Sequence, residues 1–385
     1  MGINTNRTKL DTGNNACAEA VKLAAPDIIA AYPITPQTSV SEKLASYVDE
    51  GVLHARYIPV ESEHSAISAV AAASAAGART FTATSSQGIL YMNEILHYTA
   101  GGRLPVVLVN VNRAINAPWC LYVDHQDSAS QRDTGWLQLY AGDNQEIHDY
   151  VLLAYRTAEE AMIPTMVCYD GFLLSHSMLP YEPIEEEIAR KYLPDRDPDW
   201  CLHPAYGRKT FAQVTPAFEY SEFRKRLAQE SALALDVIKD RGAELDALTG
   251  HNVCSHVKPY RNEDADYLIV SMGSMGVEAE MSADILRNQG IKAGSLRVRT
   301  FRPFPAETFV ELIPEGTSVI VLDRNYAYGT GGGIILQELK EALYGRKVSV
   351  RIAGTSIGVG GMELPAQHMA DTVKDVILSA WNDKI

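Results

Sequence analysis

The feature that most constrains this chain is an alternation. Short apolar, β-branched runs at 27–31, 79–84, 105–111 and 164–169 are separated by helical patterns near 36–49, 62–77, 87–99 and 144–161. Strands that alternate with helices in this way build a parallel sheet with helices on both faces. A second set follows, with strands at 267–272, 293–299, 318–323 and 348–354 and helices at 276–289, 306–313, 331–343 and 365–381. Two α/β domains are therefore expected, 1–250 and 260–385, with a linker over 249–264. A chain of 385 residues has room for both. Between 171 and 215 the alternation lapses into prolines, charges and aromatics, as in LPDRDPDWCLHPAYG. That stretch reads as a long surface excursion with little regular structure. Thr215 and Pro216 then suit the cap and first position of a long helix, 216–248, which Gly250 can stop.

Composition narrows the functional classes. Hydrophobic residues make up 46% and charged residues 21%, the balance of an ordinary globular protein. The net charge of −14 argues against nucleic acid or an anionic membrane as partner. No apolar run reaches the length of a membrane span. The opening MGINTNRTKLDTGNNA is polar throughout and is no signal peptide, and Asn6 stands where a myristoylation signal wants Ser or Thr. The five cysteines are scattered, with no C-x-x-C pair. Free thiols in a reducing cytoplasm are expected, and the usual cysteine spacing for an iron–sulfur cluster is missing.

Several stretches could carry chemistry. AYPITPQ (31–37) lies between a strand and a helix, where a plain turn would use Gly, Asn or Asp. Pro33 and Pro36 fix φ at two points and restrict the residues before them, so Thr35 is held in one orientation. Turns at the carboxyl end of α/β strands are where such folds bind ligands. In VESEHSAISA (60–69), Glu61 and Glu63 open a helix of small residues. Acids in a first turn complement the helix dipole, and that reading needs no ligand. In TATSSQGILYMNE (82–94), Ser86 and Gln87 sit on a turn before a helix, where a helix N-terminus offers donors. G-x-S-x-G is absent, so this is not a nucleophile elbow. In NVNRAINAPW, Arg113 follows a strand and suits either a carboxylate ligand or a salt bridge. DHQDS (124–128) crowds its acids too closely for a metal site and reads as a polar loop. GTGGG (329–333) is not the dinucleotide fingerprint.

In order along the chain, YPITPQTSVSE, PVESEHSAISAV, TATSSQG, NRAINAPW, DHQDSASQRDTGW, DNQE and DGFLLSH resemble the α subunit of 2-oxoacid:ferredoxin oxidoreductases, most of all the pyruvate (pyruvate synthase) type. VRTFRPFP, LDRNYAYGTGGG and GVGG extend the resemblance over nearly the whole chain. It implies a thiamine diphosphate pyrimidine-binding doubly wound parallel sheet, followed by a transketolase C-terminal-like α/β domain. It also implies oxidative decarboxylation of pyruvate, reversibly, to acetyl-CoA and CO₂, with coenzyme A as co-substrate and ferredoxin as electron acceptor.

The resemblance reverses the reading of Glu63, which matches the glutamate that contacts the aminopyrimidine ring of the cofactor; Glu61 stays structural. Thr35 and Arg113 match residues that hold the substrate carboxylate, and Pro33 belongs to the same cofactor-facing turn. Ser86 and Gln87 are expected at the cofactor and Asn116 at the substrate. A G-D-G motif with a downstream Asn, which would hold the metal of the diphosphate, is missing; AGDNQE and YDGF are not that. Mg²⁺ is therefore expected on a β-type subunit and 4Fe-4S clusters on γ- and δ-type, ferredoxin-like subunits. The expected assembly is a dimer of hetero-oligomers. Three other readings stay open: a branched-chain or other small 2-oxoacid as substrate, the β subunit of a lipoate-linked 2-oxoacid dehydrogenase, and a scaffold that kept only the fold.

Overall fold

The computed structural model describes residues 8–382 apart from 197, 199, 212 and 347–349. In chain order the first elements are β1 (Lys9–Thr12), α1 (Gly13–Ala24), β2 (Ile28–Ala31), α2 (Thr38–Asp49), β3 (Arg56–Pro59), α3 (Glu63–Ala75), β4 (Thr80–Thr84), α4 (Gln87–Gly101), β5 (Val107–Asn112), α5 (Gln126–Ala129), β6 (Leu137–Tyr140), α6 (Asn144–Ala161) and β7 (Thr165–Asp170). There follow β8 (Met178–Tyr181), α7 (Glu186–Tyr192), α8 (Ala217–Thr249), β9 (Val257–Tyr260), β10 (Tyr267–Met272), α9 (Met275–Asn288), β11 (Ala293–Val298), β12 (Thr300–Arg302), α10 (Ala306–Leu312), β13 (Ser318–Asp323), α11 (Ile334–Leu343), β14 (Arg351–Ser356) and α12 (Ala366–Trp381).

A seven-stranded sheet runs β12-β6-β7-β5-β4-β2-β3, parallel except for β12, which pairs antiparallel with β6. Its central strand β5, VLVNVN, is buried at every position, as a strand covered on both faces must be. From β2 the chain steps outward to β3, then recrosses to β4 on the other side of β2. Right-handed crossovers then place the helices of the two directions on opposite faces. The packing agrees: α3 lies on α4, whereas α1 lies on α2 and α6. The sheet is therefore doubly wound, as expected. The second sheet runs β14-β13-β10-β11-β9, with only β9 antiparallel.

Local signals set the helix ends. Ser62 caps α3 by accepting from the Ser65 N–H, and Asp143 caps α6 by accepting from the Glu146 N–H. Gly250 ends the 33-residue α8 in the left-handed region at φ 80°.

Three sequence expectations need correction. The 171–215 stretch carries β8, which pairs antiparallel with β1, and α7. The 249–264 linker contains β9, which closes an edge of the second sheet against β11. The last strand begins at Arg351; positions 348 and 349 lie outside the described residues. These strands are short and half polar, and they pair with partners far along the chain, so no local period marks them.

Candidate active site

The reversal of winding between β2 and β4 opens a crevice outside the carboxyl ends of the parallel strands, the usual ligand position in such sheets. Each loop of this edge brings side chains to it. The turn after β2 carries Pro33 and Thr35, the start of α3 carries Glu63, the β4–α4 turn carries Ser86 and Gln87, and the loop after β5 carries Arg113 and Asn116.

Arg113 ties these loops together. Its Nη1 donates to the Thr35 carbonyl at 2.6 Å and its Nη2 to Gln87 Oε1 at 2.7 Å. Gln87 Nε2 donates to Asn116 Oδ1 at 2.6 Å, and Ser86 Oγ donates to the Ala114 carbonyl at 2.6 Å. Arg113 is buried, but its Nε meets no partner among the described residues. Burial lowers its pKa, offset by the nearby Asp127, Cys120 and Glu63. Thr35 takes part through its backbone oxygen, and its exposed side chain leaves the hydroxyl open. Pro33 is exposed on the same turn. Buried Asn14 clamps that turn: its Nδ2 donates to the Pro36 carbonyl and to Ser39 Oγ, each at 2.7 Å.

Glu63 is the first residue of α3, with 8% of its surface exposed. Among the described residues none donates a hydrogen bond to its carboxylate. It lies against Gly88, where a Cβ would come within 2.1 Å of Thr84 Oγ1 and 2.9 Å of Glu63 Oε1. Only glycine lets the start of α4 approach the start of α3 so closely. The carboxylate oxygens are not enclosed by the protein, so they are open to a donor from a ligand.

The sequence reads 124–128 as a polar loop, whereas the structure starts the short helix α5 there and buries most of its polar side chains. Asp127 and His125 are fully buried, and Asp127 accepts from the backbone N–H of both Ser86 and Arg113. Burial and the neighbouring Asp127 push the Asp124 carboxyl up to about 6. His125 Nε2 meets Asp170 Oδ1 at 2.7 Å, and Arg324 Nη1 donates to Asp170 Oδ2 at 2.9 Å. Ser274 also donates to Asp170, which thus joins the edge of the first sheet to loops of the second. Among the described residues, no three His, Cys, Asp or Glu side chains are placed to hold a metal ion.

The edge thus offers a carboxylate acceptor, a guanidinium with a spare donor and an open hydroxyl around one crevice. That suits a ligand with a hydrogen-bond donor on one side and an anionic group on the other, the class of site found in oxoacid-handling enzymes built on paired α/β sheets. The family described as pyruvate flavodoxin/ferredoxin oxidoreductase, thiamine diphosphate-binding, matches residues 19–237. The pyruvate:ferredoxin oxidoreductase core domain II matches residues 265–369. The chain belongs to the pyruvate:ferredoxin oxidoreductase family. It is 42% identical over 379 residues to the ketoisovalerate oxidoreductase subunit VorA of Pyrococcus horikoshii, covering 98% of this chain and 96% of that one. It is 40% identical over 366 residues to the pyruvate synthase subunit PorA of Methanosarcina barkeri, covering 94% and 91%. In fold it is similar to a 2-oxoglutarate:ferredoxin oxidoreductase from Magnetococcus marinus, with a TM-score of 0.73 at 18% identity, covering 96% of this chain and 65% of that one. A transketolase variant from Pichia stipitis aligns with a TM-score of 0.53 at 13% identity, over 98% of this chain and 47% of that one.

Proposed function

We propose that this chain is the α-type subunit of a thiamine diphosphate-dependent 2-oxoacid:ferredoxin oxidoreductase. Its reaction is the reversible oxidative decarboxylation of pyruvate to acetyl-CoA and CO₂. The observation that carries this reading is the convergence of Glu63, Gln87 and Arg113 from three separate loops on the crevice at the β2/β4 reversal. Residues 1–250 form the cofactor-pyrimidine unit and 260–385 the second unit.

The donor set fits the cofactor. The Glu63 carboxylate meets no donor among the described residues, and Gly88 leaves the space beside it without a side chain. The cofactor, once bound, would supply the chemistry that cleaves a 2-oxoacid beside its keto group. Glu63 would hold the aminopyrimidine through a hydrogen bond to its carboxyl group, which would favour one tautomer of the ring. Ser86 and Gln87 line the same side, and Pro33 stiffens the turn opposite. Arg113 and the Thr35 hydroxyl orient the oxoacid carboxylate before attack, and Asn116 holds Gln87 in register.

The remainder of the site belongs to partners. A β-type subunit supplies Mg²⁺ and the diphosphate contacts, and γ- and δ-type ferredoxin-like subunits supply 4Fe-4S clusters. Coenzyme A takes the acyl group, ferredoxin takes the electrons, and the cytoplasmic assembly is a dimer of hetero-oligomers. No helix among the described residues is long and apolar enough to cross a membrane.

The test uses the native complex, purified anaerobically through a tag on this chain. Coenzyme A-dependent viologen reduction is measured with pyruvate, 2-oxoisovalerate, 2-oxoglutarate and oxalate. Preference for pyruvate supports the reading, and preference for 2-oxoisovalerate moves the substrate to the branched-chain class. Silence with all four, from a complex that holds cofactor and clusters, overturns the chemistry. Decarboxylation of pyruvate by this chain alone would overturn the division of labour.

A further inference from the structure

We propose that Asp127 is a positioning residue for this site: its carboxylate locks the loops after β4 and β5 in register, and so aims the Arg113 guanidinium at the oxoacid. The inference rests on the assignment of Arg113 to the oxoacid above.

Asp127 lies in the short α5 and has no exposed surface. Its Oδ2 accepts from the Ser86 N–H at 2.9 Å, the Arg113 N–H at 3.1 Å and Asn110 Nδ2 at 3.0 Å. Its Oδ1 accepts from Asn112 Nδ2 at 2.7 Å and the Ser128 N–H at 2.8 Å. All five contacts are donors, so a proton on either oxygen would face another donor, and the group acts as an ionised acceptor. Burial opposes that charge and pushes the pKa up, while the donors pull it down. A helix-stabilising role would need none of the contacts to β4 and β5.

The two backbone donors matter most. Ser86 and Arg113 sit on different loops, and one carboxylate oxygen holds both. Ser86 has φ 50° and ψ −121°, a backbone that L residues seldom adopt and that needs an outside partner to persist. Its neighbour Gln87 is the side chain that accepts from Arg113 Nη2. Asp127 therefore acts on the guanidinium from two directions, through the Arg113 backbone and through Ser86–Gln87. α5 is anchored in turn by the second unit, where the His125 N–H donates to the Arg324 carbonyl at 2.9 Å.

The experiment is a double-variant cycle in the purified complex. Asp127→Ala removes all five acceptor contacts. Asp127→Asn keeps the shape but must turn its NH₂ toward at least one fixed backbone N–H. With Asp127→Ala, kcat/KM for the 2-oxoacid is expected to fall about 100-fold, the scale of a misplacement of roughly an ångström. With Asp127→Asn it falls about 10-fold, and the KM for coenzyme A stays unchanged in both. If Asp127 acts through Arg113, Arg113→Gln combined with Asp127→Ala loses no more than about twofold beyond Arg113→Gln alone. The cycle is run with Asp127→Asn if the alanine variant does not assemble. Multiplying losses, or a coenzyme A KM that rises with that of the oxoacid, would overturn the inference and leave Asp127 a structural group. A normal oxoacid KM in Arg113→Gln would instead bring down the assignment of Arg113, whatever Asp127 does.

Discussion

At the carboxyl edge of the seven-stranded sheet, the Glu63 carboxylate accepts no hydrogen bond from a described residue. At the carboxyl edge of the five-stranded sheet, the corresponding carboxylate is committed. Asp323, the last residue of β13, accepts from the N–H groups of Ile335 and Leu336 at the start of α11. Asn325 Oδ1 accepts from the Ile334 N–H, and Arg324 turns away into Asp170. The two edges share strand–loop–helix geometry, yet one leaves hydrogen-bonding capacity open and the other uses it to close helix ends and join the sheets. A carboxylate left open at the carboxyl ends of parallel strands marks where a ligand is expected. Capacity that is fully used marks a clamp. The comparison makes a division of effects: changes to groups left open should show in activity, and changes to the carboxylates that close helix ends or join the sheets, Asp323 and Asp170, in stability.

The largest effect expected is for Glu63→Gln. The replacement is isosteric and breaks no internal hydrogen bond, so the unfolding midpoint of the complex should stay within about a degree. Activity should fall on the order of 10² to 10⁴-fold, the range for a proton-handling side chain. Viologen reduction with pyruvate, set beside a thermal melt, reads both. Full activity in this variant would favour the scaffold reading and erase the contrast between the edges.

Asp170→Ala should do the reverse. Asp170 is fully buried, and its removal leaves the buried Arg324 without its counter-charge and His125 without its acceptor. Losing one partner of a buried pair costs about 3–5 kcal/mol. A urea titration would show it as a large fall in the midpoint. Acid sharpens the point. Burial alone would raise the Asp170 pKa, but the His125 ring and the Arg324 guanidinium beside it hold it well below the usual carboxylate range. A depressed folded pKa contributes stability above the unfolded value, about 4, and loses it as pH falls toward the folded one. The wild-type midpoint should therefore drop below about pH 4, and Asp170→Asn should flatten that drop. An unchanged acid limb in the variant would show that Asp170 is not the clamp.

The division of edges was only partly legible in the sequence. The core strands announced themselves because parallel strands buried on both faces read as unbroken β-branched runs, as in β5 and β13. Thr35, Ser86, Gln87 and Arg113 lay on the turns that follow such strands, so their positions followed from the strands, whereas Glu63 follows β3, a half-exposed strand with no such run. The clamps did not. Asp127 and Asp170 look like any loop acids in DHQDS and YDGF, and only the fold shows five donors around one and a guanidinium and an imidazole beside the other. Likewise β12 pairs with β6 across about 160 residues, a contact that no local period encodes. Asn14, which clamps the Thr35 turn, sits in a polar opening stretch that gave no strand or helix signal.

The smallest effect expected is at Asp323, where the sign of the pH dependence runs opposite to Asp170. Burial pushes the Asp323 carboxyl up to about 6, despite the N–H groups of Ile335 and Leu336 that donate to it. The unfolded value is about 4, so between pH 4 and pH 6 the folded state binds the extra proton. Asp323 therefore makes the protein more stable as pH falls from 6 toward 4, by about 1 kcal/mol for each unit crossed. Asp323→Asn removes that titration and turns one acceptor into a donor facing a helix-start N–H, at a cost of about 1 kcal/mol. At pH 8 the wild type carries a buried charge that the variant lacks, so the two should unfold within about 1 kcal/mol of each other. At pH 5 the wild type has recovered its proton, and the gap should widen by roughly 1 kcal/mol in its favour. Urea midpoints at the two pH values give the difference directly. A gap that narrows toward pH 5 would mean that Asp323 is held ionised by its helix N-terminus, and the second edge would then carry a standing charge like the first.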